Sequence, residues 1–237
     1  MLLPTLNEAE NIVPLLERTL AAVPDVHEIL VIDDASADGT ADLAERFARE
    51  RGEARVRVVR RPADPGLTKS LAHGARLATG DVLVWMDCDL SMPPEDVPRL
   101  LDAIARGYDL AVGSRFAPGG RQKPLGAPRD PVVGVILSTA LNLALRAFLE
   151  PRFRDWTSGF IAVRRGVVCD LGLRGDYGEY FMDLLYRALR AGYRVLEVPY
   201  EIRPRAAGKS KTATGVGGFL RRGSKYVRTA IALRLGR

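Results

Sequence analysis

The sequence predicts an α/β domain in which a mostly parallel sheet is flanked by helices. Short apolar runs alternate with stretches of helical periodicity from residue 1 to about residue 115, which is the pattern of repeated strand–helix units. Acidic groups follow three of these runs, and open sheets of this class bind ligands at the carboxyl ends of their strands. The chain has 237 residues, enough to bury one sizeable core without a second independent domain.

The first half of the chain alternates four predicted strands with helices. The strands cover residues 2–3, 29–32, 56–59 and 82–86, and the helices between them follow the apolar positions of residues 12–20, 43–47 and 67–77. Asn7 is followed three residues later by Glu10, which resembles a capping box at the start of the first helix. Residues 35–40 form the turn into the second helix, and Gly66 precedes the third.

The second half contains further helices and strands and one unusual loop. A helix begins near Pro93, strands cover residues 110–112, 160–163 and 193–199, and another helix covers residues 179–191. Residues 117–130 contain three glycines, three prolines and three basic residues. We therefore expect a mobile loop beside the site that can close over a ligand.

Residues 132–149 form the most apolar run, in which Arg146 is the only charged residue. Ser138, Asn142 and Arg146 recur every fourth residue and therefore share one face of a helix. This polar stripe favours an amphipathic helix near 131–149, packed on the domain or lying at a membrane surface, over a transmembrane span. We divide the chain into a domain of residues 1–212 and a basic amphipathic tail, 213–237, which is either a surface helix or a membrane-interface segment.

The composition indicates a globular protein with a basic surface. Hydrophobic residues make up 47% and charged residues 27% of the chain, which excludes a largely disordered protein. A net charge of +6 favours phosphate-bearing partners or an anionic membrane surface, whereas nucleic acid is disfavoured because the basic residues are not interleaved with exposed aromatic residues. Cys88 and Cys169 form no ligand set, and the chain begins without a signal-peptide pattern, so we expect a cytoplasmic location.

The strand that begins at Val82 ends in Asp87-Cys88-Asp89, and this motif is the centre of the predicted site. Side chains alternate along an extended backbone, so Asp87 and Asp89 project to one side and Cys88 to the other. Two neighbouring carboxylates repel each other unless a cation or a hydrogen-bonded network neutralises them, and hard oxygen ligands suit Mg²⁺ or Mn²⁺. A solvated turn after the strand is the alternative interpretation.

Three common enzyme classes lack their motifs in this sequence. A dinucleotide-binding enzyme needs a glycine-rich turn after its first strand, whereas this chain continues with Pro4-Thr5-Leu6-Asn7-Glu8. The string closest to a phosphate-binding P-loop, Gly208-Lys209-Ser210-Lys211, lacks the first glycine. A serine hydrolase is poorly supported because His27 and His73 are the only histidines and no Gly-x-Ser-x-Gly motif is present.

Several motifs occur in a fixed order along nearly the whole chain. They are Pro4-Thr5-Leu6-Asn7-Glu8-Ala9-Glu10-Asn11, Asp33-Asp34-Ala35-Ser36-Ala37-Asp38-Gly39-Thr40, Asp87-Cys88-Asp89-Leu90, Gly113-Ser114-Arg115, Asp155-Trp156-Thr157-Ser158-Gly159-Phe160 and Arg205-Ala206-Ala207-Gly208-Lys209-Ser210-Lys211. Together they resemble the family 2 glycosyltransferases of GT-A fold, specifically the dolichyl- or polyprenyl-phosphate mannose synthases. The resemblance implies inverting transfer of mannose from GDP-mannose to a polyprenyl phosphate, with Mg²⁺ or Mn²⁺ as the cofactor.

On the donor side the resemblance implies a set of nucleotide-binding and metal-binding residues. Asp87 and Asp89 match the family's ligands for the divalent cation. Leu6 stands where the family usually has an aromatic residue, and Cys88 stands where alanine is commoner. The matching donor-binding positions are Pro4, Leu6, Glu8, Ile32, Asp34, Asp87, Cys88, Asp89, Ser91, Arg205 and Lys211.

The resemblance also implies an acceptor-phosphate site that includes Arg115 and Ser138. Four residues before Ser138 the family often has an arginine, whereas this chain has Gly134. Arg129, in the preceding loop, is the candidate replacement. Asp155 either orients one of the arginines, contacts the sugar, or caps the turn that it precedes.

The implied chemistry combines a leaving diphosphate with an anionic nucleophile. Catalytic roles fall to Asp89, Arg115, Arg205 and Lys211, because a cation held by the acids and the basic side chains stabilise charge on the departing nucleotide. A phosphate monoester has a second pKa of about 6, so the acceptor is already mostly dianionic and needs no general base. Arg115 then positions the acceptor phosphate.

The lipid acceptor requires access to a bilayer. We expect the 132–149 helix and the basic tail to dock on the cytoplasmic leaflet, where Arg and Lys meet anionic headgroups. Recruitment by a separate membrane protein is the alternative. Two other functions stay open: the same fold using UDP-glucose or another nucleotide sugar, and a non-catalytic subunit that binds a nucleotide sugar or a lipid.

Overall fold

The computed structural model describes residues 1–123, 132–208 and 215–236. Its strands are β1 Leu2–Thr5, β2 Ile29–Asp33, β3 Val56–Arg60, β4 Val82–Trp85, β5 Leu110–Ser114, β6 Ile161–Arg164 and β7 Val195–Pro199. Its helices are α1 Ala9–Ala22, α2 Thr40–Arg51, α3 Leu67–Leu77, α4 Val97–Ala105, α5 Val132–Phe148, α6 Arg165–Leu171, α7 Glu179–Arg190 and α8 Gly215–Arg234. Every strand expected from the sequence is present, and α6 is a helix that the sequence pattern did not predict.

Within the described residues the strands form one seven-stranded sheet in the order β3-β2-β1-β4-β6-β5-β7. β1 pairs in parallel with β2 on one side and with β4 on the other, so the strand order reverses at β1. β6 runs antiparallel to β4 and β5, and the other pairs are parallel. This arrangement confirms the predicted mostly parallel sheet. The crevice between the carboxyl ends of β1 and β4 is the position where such sheets bind ligands.

Helices cover both faces of the sheet because alternate residues of each strand point to opposite sides. Leu2 and Leu30 belong to the core on one face, where α3 and α7 pack. Leu3 and Val31 belong to the core on the other face, where α1 and α4 pack. All four side chains are fully buried. The turns at the strand ends are therefore anchored to a rigid scaffold.

The start of α1 differs from the predicted capping box, which is wrong. The helix begins at Ala9, and Asn7 has a φ of 51° and makes no capping bond to α1. Instead, Asn7 Oδ1 accepts the N–H of Ala37 at 2.9 Å, and Asp38 Oδ2 accepts the N–H of Ala9 at 3.0 Å. The loop after β2 therefore caps α1, which ties the two turns of the crevice together.

Helix α5 is amphipathic, as predicted, and its polar stripe faces the protein. Asn142 is 1% exposed, and Arg146 Nε donates to the carbonyl of Pro151 at 2.9 Å. The opposite face exposes Ile136, Leu143 and Phe148, which are between 45% and 54% accessible. The surface that α5 presents is therefore apolar. Within the described residues, no helix combines the length and apolar character needed to cross a bilayer.

Part of the glycine- and proline-rich loop is attached to the sheet. Arg121 N–H donates to the carbonyl of Tyr200 at 3.0 Å, and Ile202 N–H donates to the carbonyl of Arg121 at 3.1 Å. These bonds hold the beginning of the loop against the chain that leaves β7. Residues 124–130, which are the rest of the predicted mobile loop, lie outside the described residues.

Candidate active site

The acid pair lies on a turn directly after β4, at the switch point of the sheet. The strand ends at Trp85, so Asp87 and Asp89 follow it by a few residues, and Leu90 takes a φ of 63° to complete the turn. Cys88 Sγ donates to the carbonyl of Pro4 at 3.3 Å and is buried in the core below β1. Asp87 is exposed and Asp89 is buried with its carboxylate directed at an arginine. The motif therefore lies on a turn and not on extended backbone, so the strand alternation expected from the sequence does not set the directions of Asp87 and Asp89.

Arg205 joins the acids of the β1 and β4 turns. Its Nη2 lies 2.9 Å from Asp89 Oδ2, and its Nη1 lies 3.3 Å from Glu8 Oε1. The other oxygen of Asp89 accepts the N–H of Ser91 at 2.9 Å. The Arg205 side chain is 13% exposed, so these ion pairs are shielded from bulk solvent. Four of the predicted donor-side residues are therefore brought together here.

The position of Arg205 is set by backbone pairing between two distant segments. Arg203 N–H donates to the carbonyl of Ser91 at 2.8 Å, and Ala206 N–H donates to the carbonyl of Asp89 at 3.1 Å. The segment after β7 therefore lies along the turn of the acid pair. Asn11 adds a second link, because its Nδ2 donates both to Glu8 Oε2 and to the carbonyl of Ala207.

Asp87 is exposed to solvent, but its protein surroundings and charged neighbours change its ionisation. Burial and the neighbouring charge of Asp89 raise the pKa of Asp87 to about 7, and Arg205 and Lys123 offset part of this effect. An added positive charge would therefore stabilise the ionised form of the Asp87–Asp89 pair. Lys123 belongs to the glycine- and proline-rich loop, so this loop lies near the acid pair.

The donor set of the acid pair fits a divalent cation that also binds a substrate. Carboxylate oxygens are the ligands that Mg²⁺ and Mn²⁺ prefer. In the part of the chain that the structure describes, no three His, Cys, Asp or Glu side chains are grouped to hold a metal ion. Mg²⁺ commonly takes one or two carboxylates and completes its shell with water and substrate phosphates. Asp87 and Asp89 match that arrangement.

The residues after β2 form a second polar group at the crevice. Asp34 pairs with Arg61, and its Oδ2 accepts the N–H of Gly66 at 2.7 Å. Arg61 also donates to Ser70 Oγ at 2.6 Å. Ile32, predicted to contact the nucleotide, has its side chain in the core, where an added Cβ at Gly74 would lie 2.3 Å from its Cδ1. Any contact from Ile32 to a ligand must therefore come from its backbone.

Arg115 forms a separate buried cluster at the end of β5. Its Nε and Nη2 donate to the two oxygens of Asp155 at 2.8 and 2.7 Å, and its Nη2 also donates to Thr157 Oγ1 at 2.7 Å. The exposed fractions are 8% for the Arg115 side chain and 0% for that of Asp155. The neighbouring carboxylate supports the charged form, and the pKa of Arg115 is raised despite burial. Of the roles considered for Asp155, the structure shows the orienting one and also the turn cap, since Asp155 Oδ1 accepts the N–H of Thr157 at 3.2 Å.

Two tyrosines link the Arg115 cluster with the acid pair. Burial raises the pKa of the Tyr200 and Tyr226 hydroxyls, and both lie within electrostatic range of Asp87 and of Arg115. Because β6 runs antiparallel to both β4 and β5, the carboxyl ends of β4 and β5 lie at the same edge of the sheet, and the acid pair and the Arg115 cluster both follow these ends. Tyr226 belongs to α8, which packs on α7 next to Gly178, so the basic tail lies near the two clusters.

The remaining predicted residues are placed as follows. The carbonyl of Pro4 lies beside Cys88, and Leu6 is 41% exposed at the mouth of the crevice. Ser138 is partly buried and lies on α5 one turn before Asn142, on the same face. Lys211 and Arg129 lie outside the described residues.

Several residues of the site were not identified from the sequence. They are Asn11, Arg61, Lys123, Asn142, Thr157, Glu197, Tyr200 and Tyr226. Glu197 carried a signal, because a carboxylate inside the otherwise apolar strand β7 needs buried partners. The spacing of Asn142 indicates a polar stripe but does not indicate its contact. The others act through partners far away in the sequence.

Comparison with known proteins places the chain among glycosyltransferases. The family model described as glycosyl transferase family 2 matches residues 1–172. The chain is 40% identical over 217 residues to polyprenol monophosphomannose synthase of Mycolicibacterium smegmatis, covering 89% of this chain and 79% of that protein. It is 35% identical over 215 residues to dolichol-phosphate mannosyltransferase of Pyrococcus furiosus, covering 89% of this chain but only 58% of that longer protein.

A solved structure agrees at the level of the fold. Glucosyl-3-phosphoglycerate synthase of Mycobacterium tuberculosis, in complex with Mn²⁺, UDP-glucose and phosphoglyceric acid, superposes with a TM-score of 0.72. The match covers 98% of this chain and 78% of the other, at 22% sequence identity. The similarity confirms the fold class predicted from the sequence.

Proposed function

This chain belongs to glycosyl transferase family 2, and we propose that it transfers mannose from GDP-mannose to a polyprenyl phosphate, with inversion at the anomeric carbon. It is a glycosyltransferase, and the names of its relatives support both the sugar and the lipid phosphate. The observation that carries the proposal is a pair of charged clusters at the same edge of the sheet. Asp87, Asp89, Glu8 and Arg205 form one cluster at the switch point, and Arg115 with Asp155 forms the other at the end of β5.

The donor diphosphate fits the cluster at the switch point. Arg205 is held by Asp89 and Glu8 and can redirect its N–H groups to phosphate oxygens, which guanidinium binds well. A divalent cation bound to Asp87 and Asp89 would neutralise the charge that develops on the diphosphate as the bond to the sugar breaks. We assign Lys211 to the same phosphates. Asp34, Pro4 and Leu6 lie on the side of the crevice proposed for the nucleoside.

The acceptor phosphate fits the Arg115 cluster. The hydrogen bonds of Arg115 in the described residues use its backbone N–H, Nε and Nη2, and we assign Nη1 to the acceptor phosphate. The phosphate monoester is mostly dianionic at neutral pH because its second pKa is about 6. The chain therefore has to supply alignment and removal of water rather than a base. Ser138 and Arg129 are the further residues that we assign to this phosphate.

Attack from the side opposite the diphosphate would produce the proposed inversion. The donor cluster follows β1 and β4, and Arg115 follows β5 at the same edge of the sheet. A sugar between them presents its diphosphate to one cluster and its opposite face to the other. A single displacement in this arrangement inverts the configuration at the anomeric carbon.

An apolar surface on α5 and α8 provides the proposed route to the lipid. The two helices pack against each other. Its exposed large side chains are Ile136, Leu143, Phe148, Val227, Ile231 and Leu235, and exposed arginines of α8 are Arg221, Arg228 and Arg234. Apolar residues beside cationic ones suit the interface of an anionic membrane. We therefore propose peripheral docking on the cytoplasmic leaflet, with recruitment by a membrane protein as the alternative.

Vesicle sedimentation tests the docking proposal. We expect greater recovery of the chain on anionic than on neutral vesicles at low salt, and a loss of recovery for Leu143→Glu. Leu77→Glu is the matched control, because Leu77 is also an exposed leucine but lies on α3. Equal recovery on both kinds of vesicle, or none on either, would show that electrostatic docking is wrong.

The function itself is tested by transfer of radiolabelled mannose from GDP-mannose to a short polyprenyl phosphate, with and without a chelator. We expect labelled lipid product that disappears with Asp89→Ala. A parallel panel with UDP-glucose addresses the alternative donor, because the structural neighbour from Mycobacterium tuberculosis binds UDP-glucose. Turnover by the wild type excludes the alternative of a non-catalytic binding subunit. Absence of transfer from every donor would contradict the proposal.

A further inference from the structure

A buried polar bridge connects α5 with the turn that contains Asp155. Asn142 is 1% exposed, and its Nδ2 donates to the carbonyl of Arg154 at 2.6 Å. Its Oδ1 accepts the N–H of Trp156 at 2.7 Å. One side chain thus satisfies the backbone groups on both sides of Asp155. Because unpaired buried backbone groups are costly, this bridge fixes where the turn lies.

Glu197 on β7 holds the same turn from the opposite side. Its Oε1 accepts the N–H of Asp155 at 3.0 Å and the hydroxyl of Ser114 at 2.7 Å. Its Oε2 accepts the N–H of Arg154 at 3.0 Å. Burial raises the pKa of Glu197, and the bonds from Ser114 and the backbone counteract part of that rise. The carboxylate therefore joins the turn to the residue that precedes Arg115.

The position of the turn that contains Asp155 determines the orientation of the Arg115 side chain. Asp155 accepts the backbone N–H of Arg115 at 2.9 Å in addition to its two guanidinium bonds. A two-point contact between a carboxylate and a planar guanidinium allows little rotation. A shift of Asp155 would therefore move the guanidinium of Arg115, including Nη1, which is the donor proposed for the acceptor phosphate.

We propose that Asn142 and Glu197 are positioning residues for the acceptor phosphate, acting through Asp155 on Arg115. The inference rests on the proposed function, in which Arg115 contacts that phosphate. Neither side chain reaches the reacting atoms in this assignment. Asn142 belongs to α5, and the outer face of α5 is the proposed membrane surface. The helix that contacts the lipid would therefore also determine the orientation of Arg115, which binds the lipid's phosphate. A misplacement of about 1 Å in such a group can reduce the rate by about a hundredfold.

Steady-state kinetics with a short polyprenyl phosphate test this proposal. Asn142→Leu removes both bonds while keeping a similar volume, and we expect the KM for the lipid phosphate to rise by about tenfold, with the KM for GDP-mannose unchanged. Leu145→Ala is the matched control, because Leu145 lies on the same helix at 3% exposure but packs in the core. Leu145→Ala should lower the melting temperature and leave the acceptor KM unchanged. Equal increases of the acceptor KM in both variants, or none in Asn142→Leu, overturn the proposal.

A double-mutant cycle tests whether Asn142 acts through Arg115. In an Arg115→Gln background the side chain that the bridge orients is missing. Asn142→Leu should then add little to the acceptor KM, so the two effects should be strongly non-additive. Full additivity would show that Asn142 acts by another route and would overturn the proposal. Glu197→Gln, which loses one of the two acceptor oxygens, should behave like Asn142→Leu in this cycle.

Hydrogen exchange gives a measurement that does not depend on catalysis. The N–H of Trp156 donates to Asn142, so peptides spanning residues 154–157 should exchange faster in Asn142→Leu and keep wild-type protection in Leu145→Ala. Unchanged protection of this segment in Asn142→Leu would show that Asn142 does not hold the turn, and would overturn the proposal. If the wild type transfers no sugar but this difference in exchange is found, the proposed function fails while the positioning of the turn stands.

Discussion

Replacing Asp87 by asparagine should make the ligand-free protein more stable while it removes a metal ligand. The Asp87 carboxylate is disfavoured in its charged form by burial and by Asp89, so its pKa is raised to about 7. One pKa unit corresponds to about 1.4 kcal/mol, which sets an upper limit of about 4 kcal/mol for the gain. Asp87 is exposed to solvent, and solvent screening reduces the expected gain to about 1–2 kcal/mol.

The sign and the pH range follow from the two ionisation states. Below about pH 4 the carboxyl is protonated in both the folded and the unfolded chain, so the substitution brings no gain. Between about pH 4 and pH 7 the unfolded chain is ionised first, and the wild type loses stability as the pH rises. The advantage of Asp87→Asn is therefore complete near pH 8 and less than half as large near pH 4.

Thermal unfolding measures the effect directly. For a chain of this size we expect the melting temperature of Asp87→Asn to exceed that of the wild type by about 3–6 °C at pH 8. Asp81→Asn is the control, because its side chain is 97% exposed and should show no such gain. Adding Mn²⁺ and GDP should raise the melting temperature of the wild type more than that of Asp87→Asn. Equal melting temperatures without ligand at pH 8, or the same gain at pH 4, would refute this account of the acid pair.

Three further outcomes are expected. Arg205→Ala should lower kcat by more than about a hundredfold and should reduce the free energy of unfolding by about 3 kcal/mol. Both effects are expected because the substitution leaves the buried carboxylate of Asp89 without its ion partner. An unchanged denaturant unfolding curve would contradict this. Arg61→Ala should raise the KM for the nucleotide sugar because Asp34 loses its ion partner. Arg60→Ala, which removes only exposed ion pairs, should leave this KM unchanged. Equal effects of the two variants on the donor KM would rule out a special role for Arg61. Removal of divalent cations by a chelator should abolish transfer, and Mn²⁺ or Mg²⁺ should restore it, as measured by labelled product; persistent activity in excess chelator would contradict a metal held by the acid pair.

Much of the donor side of the site was predictable, because it depends on where strands end. Asp87, Asp89 and Glu8 each follow a short apolar run, and parallel strands bring such ends to the same edge of a sheet. The acceptor side was less accessible to sequence reasoning. Arg115 was identified, but of the possible roles of Asp155 only the structure shows that it binds Arg115 at two points.

The wrong capping box and the contact of Asn142 that the sequence did not indicate have the same cause. The predicted capping box assumed that Asn7 bonds locally, whereas its partner is Ala37 in the next loop. The polar stripe of α5 was expected to mark a face of an amphipathic helix, and it does, but Asn142 uses it to bind the backbone of residues 154 and 156. Spacing shows which residues share a face, but it does not show what that face meets.

The amino-acid sequence by itself determined the strand–helix alternation, the acid pair at the end of β4 and the amphipathic character of α5. These features depend on hydrophobic periodicity and on neighbours within a few residues, which every local window contains. Only the tertiary structure decided that Arg205 meets Asp89 and Glu8, that Glu197 and Asn142 hold the turn of Asp155, and that the apolar face of α5 points outward. Such pairings join residues far apart in the chain, and they are set by how the helices pack on the sheet.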